Sequence, residues 1–252
     1  MATSPLLSII TVVKNSSDHL TRTIKSIIPF KSDEIEYVVV DGASIDDTCN
    51  VIESYKELID VCVSETDKGV YDAMNKGIAL AHGKYLLFLN AGDELLTDII
   101  PIIKAAPEKA VMIYGRANMI NPDGTFDYIK GKRLKSTRRF LKGMPLCHQA
   151  ILYRRDRMLL YDLSFKVISD RVLTYNLLKK YGLRRSFYAD QIMVTYYQDG
   201  FSGSFTDNFL AAEDARFYRS VGKSYYIAIK RFNFMFKHKI KRPILRVLRI
   251  KY

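Results

Sequence analysis

Short apolar runs alternate with stretches of helical spacing over the first 115 residues, and this alternation is the strongest constraint on the fold. The β-branched run Leu7–Val13 predicts a buried strand, and further strands are predicted at Ile35–Val40, Val61–Ser64, Tyr85–Leu89 and Ala110–Tyr114. Between them the spacing predicts helices at Asp18–Ile28, 46–58, Val70–Ala81 (with Gly83 as its C-cap) and Thr97–Ala106. Repeated strand–helix units predict an α/β fold with a Rossmann-like, mainly parallel sheet and helices on both faces.

The pattern changes after Gly115. The residues Asn121-Pro122-Asp123-Gly124 predict the turn of a hairpin. The segment Lys130–Lys142 is basic and lacks apolar periodicity, so we predict a mobile loop there. Farther along we predict two helices and one strand, at Ser169–Lys180, Asn208–Tyr218 and Ser186–Tyr197, respectively.

Polar residues follow the first four predicted strands at regular intervals. Asn15, Asp41, Asp67 and Asp93 are each separated by 26 residues. The carboxyl ends of parallel strands meet at one edge of a sheet, where open α/β folds bind ligands. Each residue alone could be a turn or helix-capping residue, since Asp and Asn are favoured there. Four of them at one edge predict a polar crevice.

Several well-known site types are disfavoured. No G-x-G-x-x-G follows the first strand and no G-x-S-x-G is present, which argues against a dinucleotide-binding fold and a hydrolase nucleophile elbow. Gly77–Tyr85 superficially resembles a P-loop, but it precedes a strand and has five residues between its glycines. The three cysteines have no C-x-x-C spacing, which argues against a disulfide scaffold or zinc site. No basic segment precedes the short N-terminal apolar run, so we expect no signal peptide.

The net charge is concentrated at the C-terminal end. Residues 215–252 contain twelve Lys or Arg and no Asp or Glu, so they account for the whole formal net charge of +12. Aromatic and aliphatic residues are interleaved with these cations, which favours a basic helical tail over 222–252 that binds an anionic membrane surface. The alternatives are a solvated helix packed on its own domain and, less favoured, a nucleic-acid-binding tail.

Four ordered blocks carry a family resemblance: SIITVVKN, VVVDGASIDDT, ETDKGVYDAMNKGIALAHGKYLLFLNAGDE, and MPLCHQAILY followed by ISDRVL. Over roughly Leu7–Phe205 the chain resembles family 2 glycosyltransferases of the GT-A fold. Within that family it is similar to enzymes that build bacterial surface polysaccharides of the colanic-acid or O-antigen type. The resemblance implies a nucleotide-sugar-binding half at 1–115 and an acceptor-binding half at 116–221.

The resemblance also implies site residues. Donor-binding positions would be Thr11, Val13, Asn15, Asp41 (to the base), Asp67, Lys76, Asn90 and Ala91. The block NAGD stands in place of the metal-binding D-x-D, with Asn90 and Gly92 where other members often carry aspartate. Asp93 would keep the acidic role and hold Mn²⁺ or Mg²⁺, which bind through few carboxylates when ligand phosphates complete the shell.

Asp170 matches the family's catalytic base, and it could otherwise be an ordinary helix N-terminal carboxylate. His148 is a candidate contact to donor phosphate or acceptor sugar, or else a satisfied core histidine. The segment Lys130–Lys142 could be a lid over the diphosphate or a solvated loop. The acidic pair Glu213-Asp214 is a rival base, although its helical context favours a solvated face.

These features lead to one functional expectation. We expect an inverting, metal-dependent transferase that moves a sugar from UDP or GDP to a polyprenyl-diphosphate-linked glycan. It would be cytoplasmic and peripheral on the inner face of the cell membrane, with no nucleic-acid partner. The alternatives are a sugar-nucleotide nucleotidyltransferase, and a non-enzymatic basic membrane- or RNA-binding protein on an α/β scaffold.

Overall fold

The computed structural model describes residues 4–198 and 205–229. The chain divides into two compact units, residues 1–204 and 205–252. The strands of the first unit are β1 (Leu7–Val13), β2 (Ile35–Asp41), β3 (Val61–Ser64), β4 (Tyr85–Phe88), β5 (Glu94–Leu95), β6 (Met112–Ile120), β7 (Phe126–Lys130), β8 (Ile151–Arg154) and β9 (Ser186–Tyr197). Its helices are α1 (Ser17–Ile27), α2 (Thr48–Ser54), α3 (Val70–Leu80), α4 (Ile100–Ala105) and α5 (Ser169–Tyr181).

All nine strands belong to one sheet. Its order is β3-β2-β1-β4-β8-β6-β9-β5, and β7 pairs with β6 as the predicted hairpin. The strands β1 to β4 are parallel to one another, and β8 is antiparallel to both of its neighbours. The pair β6–β9 is parallel, and the short β5 is antiparallel to β9. The predicted α/β fold with a mainly parallel sheet is confirmed.

The two faces of the sheet are covered by different helices. On one face, Ile9 of β1 packs in a core cluster with Leu20 and Ile24 of α1. On the other face, α3 approaches the sheet closely at Gly77, where an added Cβ would lie 2.5 Å from Ile10 Cγ2. Because successive side chains of a strand point to opposite faces, both faces of β1 are buried and the strand reads as a continuous apolar run.

Gly83 is not the C-cap of α3, which ends at Leu80. Its N–H instead donates to Ser8 Oγ over 2.8 Å, and an added Cβ would lie 2.4 Å from the Ser8 backbone nitrogen. The glycine is therefore required by close backbone packing against β1. Two elements were missed by the sequence analysis, β5 and β8, which have two and four residues and too little pattern to be distinguished.

The segment Lys130–Lys142 packs against the rest of the first unit through buried apolar side chains. Leu134, Phe140 and Leu141 are buried, and a short 3-10 turn spans Thr137–Leu141. The Leu134 N–H also donates to the Tyr114 hydroxyl over 2.8 Å. The apolar residues are spaced irregularly, so no helical or strand period reveals that they are buried.

The second unit contains α6 (Asp207–Ser220), and the hydroxyl of Thr206 caps its N-terminus by accepting from the Phe209 N–H. Glu213 and Asp214 are both buried, so the predicted solvated face is wrong at these positions. The predicted boundary at 221/222 falls just after this helix, and most of the predicted tail, 230–252, lies outside the described residues. Among the described residues, no helix has the length and apolar character needed to cross a bilayer.

A buried carboxylate makes the stability of the first unit dependent on pH. Glu36 accepts hydrogen bonds from the Ser8 hydroxyl and from the backbone and ring nitrogens of His82. Burial raises the pKa of Glu36, but these hydrogen bonds outweigh it and hold the pKa below its ordinary value. The stabilisation is therefore present above the unfolded-state pKa and is lost as the pH falls through the lower folded-state pKa.

We expect Glu36→Gln to lower the free energy of unfolding at neutral pH by about 1–3 kcal/mol, because it leaves buried donors poorly paired. Urea unfolding from neutral pH down to about pH 3 should also show a flatter pH dependence than wild type. The control is Glu34→Gln, since Glu34 is half-exposed and pairs only with Lys104 on the surface. Equal losses in the two variants would contradict the prediction.

Candidate functional site

A cavity of about 560 Å³ opens at the carboxyl ends of β1 and β4, where the sequence predicted a polar crevice. The first half of the unit contributes the end of β1, the residues after it, the start of α3 and the block NAGD. The second half contributes β6, β7, β9, the segment 144–149 and the start of α5. The polar lining residues are Lys14, Ser16, His19, Tyr71, Asn90, Asp93, Lys130, Cys147, His148, Gln149, Asp170, Arg171, Tyr196 and Tyr197.

The carboxylates of Asp93 and Asp170 line the cavity, and each is held by a residue from the other half of the first unit. Asp93 Oδ1 accepts from the backbone N–H of Tyr197 over 3.0 Å. The Tyr71 hydroxyl lies 3.2 Å from Asp170 Oδ1 and also donates to the Val167 carbonyl over 2.6 Å. Both predicted reactive acids are thus brought to one cavity and fixed in orientation.

Asn90 supplies an oxygen that fits a metal ligand. Its Oδ1 is buried and accepts no hydrogen bond from the described residues, although the residue lines the cavity with Asp93. Amide and carboxylate oxygens are both good ligands for Mg²⁺ and Mn²⁺. The described residues contain no cluster of three or more His, Cys, Asp or Glu able to hold an ion alone. The side chains therefore fit a cation that takes its remaining ligands from a bound diphosphate and water.

Three cationic side chains line the same cavity: Lys14, Lys130 and Arg171. They come from the residue after β1, the end of β7 and the first turn of α5. Against two carboxylates they leave an excess of positive charge. This balance suits a diphosphate, whose negative charges would otherwise be repelled by Asp93 and Asp170.

His148 is buried among aromatic rings at the cavity wall. Its ring stacks on Phe88 with centroids 5.4 Å apart, and its Nε2 lies 2.8 Å from the Tyr161 hydroxyl. Burial lowers the pKa of His148, and the negative charge of Asp170 only partly opposes this effect. The imidazole is therefore neutral at physiological pH.

Cys147 also faces the cavity, but it is chemically inert there. Burial, with a smaller effect from the negative charge of Asp93, raises the pKa of the Cys147 thiol to about 12. A thiol at that pKa is protonated at neutral pH and is a poor nucleophile. Covalent catalysis by cysteine is therefore disfavoured at this site.

Two of the predicted donor-binding side chains serve other contacts. Thr11 is completely buried and donates to the Leu89 carbonyl over 2.8 Å, so among 11–13 only Val12 and Val13 line the cavity. Lys76 forms an ion pair with Glu65 at 2.8 Å and donates to the Thr66 carbonyl. The sequence pattern could not distinguish a lysine that contacts a ligand from one that, like Lys76, stabilises a neighbouring loop by an ion pair and a hydrogen bond.

Asn15, Asp41 and Asp67 gather around the loop 42–45, next to the cavity-lining Lys14. Asn15 Oδ1 accepts from the Ile45 N–H over 2.9 Å, and its own N–H donates to Ser44 Oγ over 2.7 Å. An added Cβ on Gly42 would lie 2.4 Å from Asp67 Oδ2, so Asp67 packs directly against the loop. These residues meet at one edge, as predicted, but they do not line the cavity itself.

Asp41 is completely buried, and its carboxylate accepts from Ser44 and Ser64. Ser44 donates through both its N–H and its hydroxyl, so the carboxylate holds the loop that Asn15 also binds. The structure therefore places Asp41 behind the loop and not in contact with the cavity.

Sequence reasoning missed several cavity residues, of which His19 is the most informative. Its ring lies against Gly92, where an added Cβ would be 3.5 Å from His19 Cγ. Ser16 Oγ lies 3.0 Å from its Nδ1. Gly92 was visible in the block NAGD, but the residue that lies beside it is 73 positions earlier in the chain.

The chain matches the family model described as Glycosyl transferase family 2 over residues 8–182. It is 33% identical over 181 residues to a PGL/p-HBAD biosynthesis glycosyltransferase of Mycobacterium bovis, a match that covers 66% of this chain and 67% of the relative.

Two solved structures share its fold. Residues 1–349 of Staphylococcus aureus TarS in complex with UDP superpose with a TM-score of 0.65 at 18% identity, covering 92% of this chain and 72% of that TarS fragment. Glucosyl-3-phosphoglycerate synthase of Mycobacterium tuberculosis, with Mn²⁺, UDP and glucosyl-3-phosphoglycerate, superposes with a TM-score of 0.59 at 14% identity. That match covers 84% of this chain and 80% of the synthase. The GT-A fold expected from the resemblance is confirmed.

We expect the pKa of His148 to lie below the ordinary value of a histidine, because burial disfavours the imidazolium. An NMR titration of its Cε1 proton, assigned by the missing resonance in His148→Gln, should give a midpoint below about 6.5. By linkage, the buried neutral ring costs stability as the pH falls below the unfolded-state pKa. A midpoint at or above the ordinary value would contradict the burial of this side chain.

Proposed function

Because the chain belongs to glycosyl transferase family 2, we propose that it transfers a sugar from a UDP- or GDP-sugar to a hydroxyl of a polyprenyl-diphosphate-linked glycan. The product would enter a bacterial surface polysaccharide of the O-antigen, capsule or colanic-acid type. The observation that carries the proposal is one cavity containing Asp93, Asp170 and three cations drawn from distant parts of the sequence. The UDP complex of TarS supports the class of donor.

The nucleoside would bind at the ends of β1 and β2. The carboxyl end of β1 contributes Val12 and Val13 to the cavity wall, and the adjacent loop 42–45 is fixed by Asn15 and Asp41. We assign Asp41 a positioning role, because it orients Ser44 in the loop 42–45 and this loop would contact the base. Asp67 restrains the same loop at Gly42 and bounds the donor from the side of β3.

The diphosphate would lie beside the block NAGD. Asp93 and Asn90 would hold the divalent cation, since both line the cavity and Asn90 Oδ1 lacks a protein partner among the described residues. When bound, such a cation neutralises charge that develops on the leaving diphosphate. Lys14, Lys130 and Arg171 add fixed positive charge around the same group.

Asp170 would accept the proton of the attacking acceptor hydroxyl. Its carboxylate faces the cavity and is oriented by the Tyr71 hydroxyl, so it needs no rearrangement when the acceptor arrives. A positioned general base of this kind contributes roughly 10²–10⁴-fold to the rate. Because the hydroxyl attacks directly at the anomeric carbon from the side opposite the diphosphate, the configuration inverts. The neutral His148 would hydrogen-bond the acceptor sugar or the donor phosphate.

The remaining parts of the proposal concern location. Residues 1–115 would bind the donor, 116–221 the acceptor, and the basic tail 222–252 the anionic inner face of the cell membrane. The enzyme would then be a peripheral cytoplasmic protein that meets its lipid-linked acceptor at the surface. The excess positive charge of residues 215–252 supports this arrangement.

Single isosteric substitutions distinguish the proposed roles of Asp93 and Asp170. We expect Asp170→Asn to lower kcat by about 10²–10⁴-fold with donor affinity nearly unchanged, because only proton removal is lost. We expect Asp93→Asn to weaken UDP binding in the presence of Mn²⁺. The increase in UDP affinity that Mn²⁺ gives the wild type should be mostly lost in this variant. The assays are transfer from a radiolabelled nucleotide sugar and calorimetric titration with UDP. The control is Asp33→Asn, an exposed carboxylate on a surface turn. Wild-type transfer by both site variants would overturn the assignment.

Donor choice is tested by thermal shift. Ligands that bind only the native state raise the melting temperature according to concentration and affinity. We expect UDP or GDP with Mn²⁺ to raise it well above the shift given by CDP, and the Asp93→Asn variant to lose the part that depends on Mn²⁺. Equal shifts with all three nucleotides, with or without Mn²⁺, would contradict the proposed donor site.

A further inference from the structure

The surface formed by β7 and residues 131–142, which we call the cationic apron, is dominated by positive charge, and Asp127 is its single acidic residue. Its exposed cations are Lys132, Arg133, Lys135, Arg138, Arg139 and Lys142. The sequence contains no acidic residue between Asp127 and Asp156. Among the described residues, none of these six side chains takes part in an ion pair. The apron therefore presents uncompensated positive charge to its surroundings.

The backbone beneath these cations is held in place. Leu134, Phe140 and Leu141 are buried, so the apolar side chains of the segment point inward while the cations stay outside. Gly131 packs against the Gly115 carbonyl, where an added Cβ would lie only 2.6 Å from the oxygen. Cations fixed on one surface repel one another, and a polyanionic surface that lies against them relieves this repulsion.

Exposed apolar residues adjoin the cations. Phe126, Tyr128 and Ile129 of β7 are 58%, 45% and 40% exposed. Tyr128 is on the face of the sheet that bears Met119, and the other two are on the opposite face. Aromatic and aliphatic side chains beside Lys and Arg are typical of protein surfaces that lie in the headgroup region of a bilayer. A nucleic acid is a weaker match, because bases stack on planar groups and Ile129 is not planar.

The apron begins at the mouth of the cavity. Tyr128 is paired with Met119 of β6, and directly opposed residues of an antiparallel pair share one face of the sheet. Met119 and Lys130 both line the cavity. A surface bound to the apron therefore lies next to the opening through which an acceptor would reach Asp170.

We propose that the cationic apron docks on anionic lipid headgroups and holds the cavity mouth at the membrane surface. This membrane contact belongs to the catalytic unit itself and is additional to the one proposed for the tail. Its purpose rests on the proposed function, because a lipid-linked acceptor is presented at that surface. The binding itself can be measured without any transfer reaction.

The test uses the full chain and sedimentation with two kinds of vesicles, phosphatidylcholine alone and phosphatidylcholine mixed equally with phosphatidylglycerol. The variant is Lys132→Gln, Lys135→Gln and Arg138→Gln combined. The control combines Lys25→Gln, Lys109→Gln and Lys179→Gln, which removes the same charge from exposed positions outside the apron. Each cation near an anionic surface contributes about 1 kcal/mol, so the apron variant should bind anionic vesicles about 100-fold more weakly than wild type. The control should stay within about threefold of wild type.

Separate substitutions test the apolar part of the apron. We expect Phe126→Ser with Tyr128→Ser to weaken binding at both low and high salt, because the lost contact is not electrostatic. Circular dichroism melts would establish that each variant is folded. Wild-type affinity in the apron variant, or an equal loss in the charge-matched control, would overturn the proposal. So would an apron variant that loses polyuridylate binding but keeps vesicle binding.

The outcome is separable from that of the proposed function. Transfer to a water-soluble acceptor does not require the membrane, so the apron variant should retain wild-type turnover in that assay. Loss of vesicle binding with turnover retained supports docking. Vesicle binding that depends on the apron in a chain without transfer activity would leave docking intact and reject the transferase.

Discussion

Strand β1 lies between β2 and β4, and its parallel pairing with both determines where the loops at the cavity edge begin. Val13 is in register with Asp41, and Ile10 with Phe88. The hydrogen bonding continues past the strand ends, where the Gly42 N–H donates to the Val13 carbonyl and the Ala91 N–H to the Val12 carbonyl. Residues 14–16, 42–45 and 90–93 therefore leave the sheet side by side.

The two halves of the first unit are joined at the cavity by reciprocal hydrogen bonds. Asp93 belongs to the first half and is held by the Tyr197 N–H from the second. Asp170 belongs to the second half and is held by the Tyr71 hydroxyl from the first. Each carboxylate is thus positioned by a residue about 100 positions away in the chain. Preorganisation of this kind lets fixed charges act without rearrangement during a reaction.

Local pattern predicted the strands of residues 1–115 better than those of residues 116–221. The strands Leu7–Val13, Val61–Ser64 and Ser186–Tyr197 were predicted to the residue, because runs of β-branched and aromatic residues are typical of strands. The strand predicted at Ala110–Tyr114 extends to Ile120, and β8 was missed. In that half the strands are antiparallel or mixed, and their pairing depends on partners that are distant in sequence.

The family, the α/β alternation and the return of polar residues to one edge could all be read from the amino-acid order, because they depend on local periodicity and on position along the chain. The sequence also identified Asp93, His148 and Asp170, which line the cavity. The tertiary structure was needed to show that Asp41 and Lys76 hold loops, that His19 lies beside Gly92, and that Lys130 and Arg171 line the same cavity. The direction in which a polar side chain points depends on which partners surround it in space, and those partners are set by packing between segments far apart in the chain.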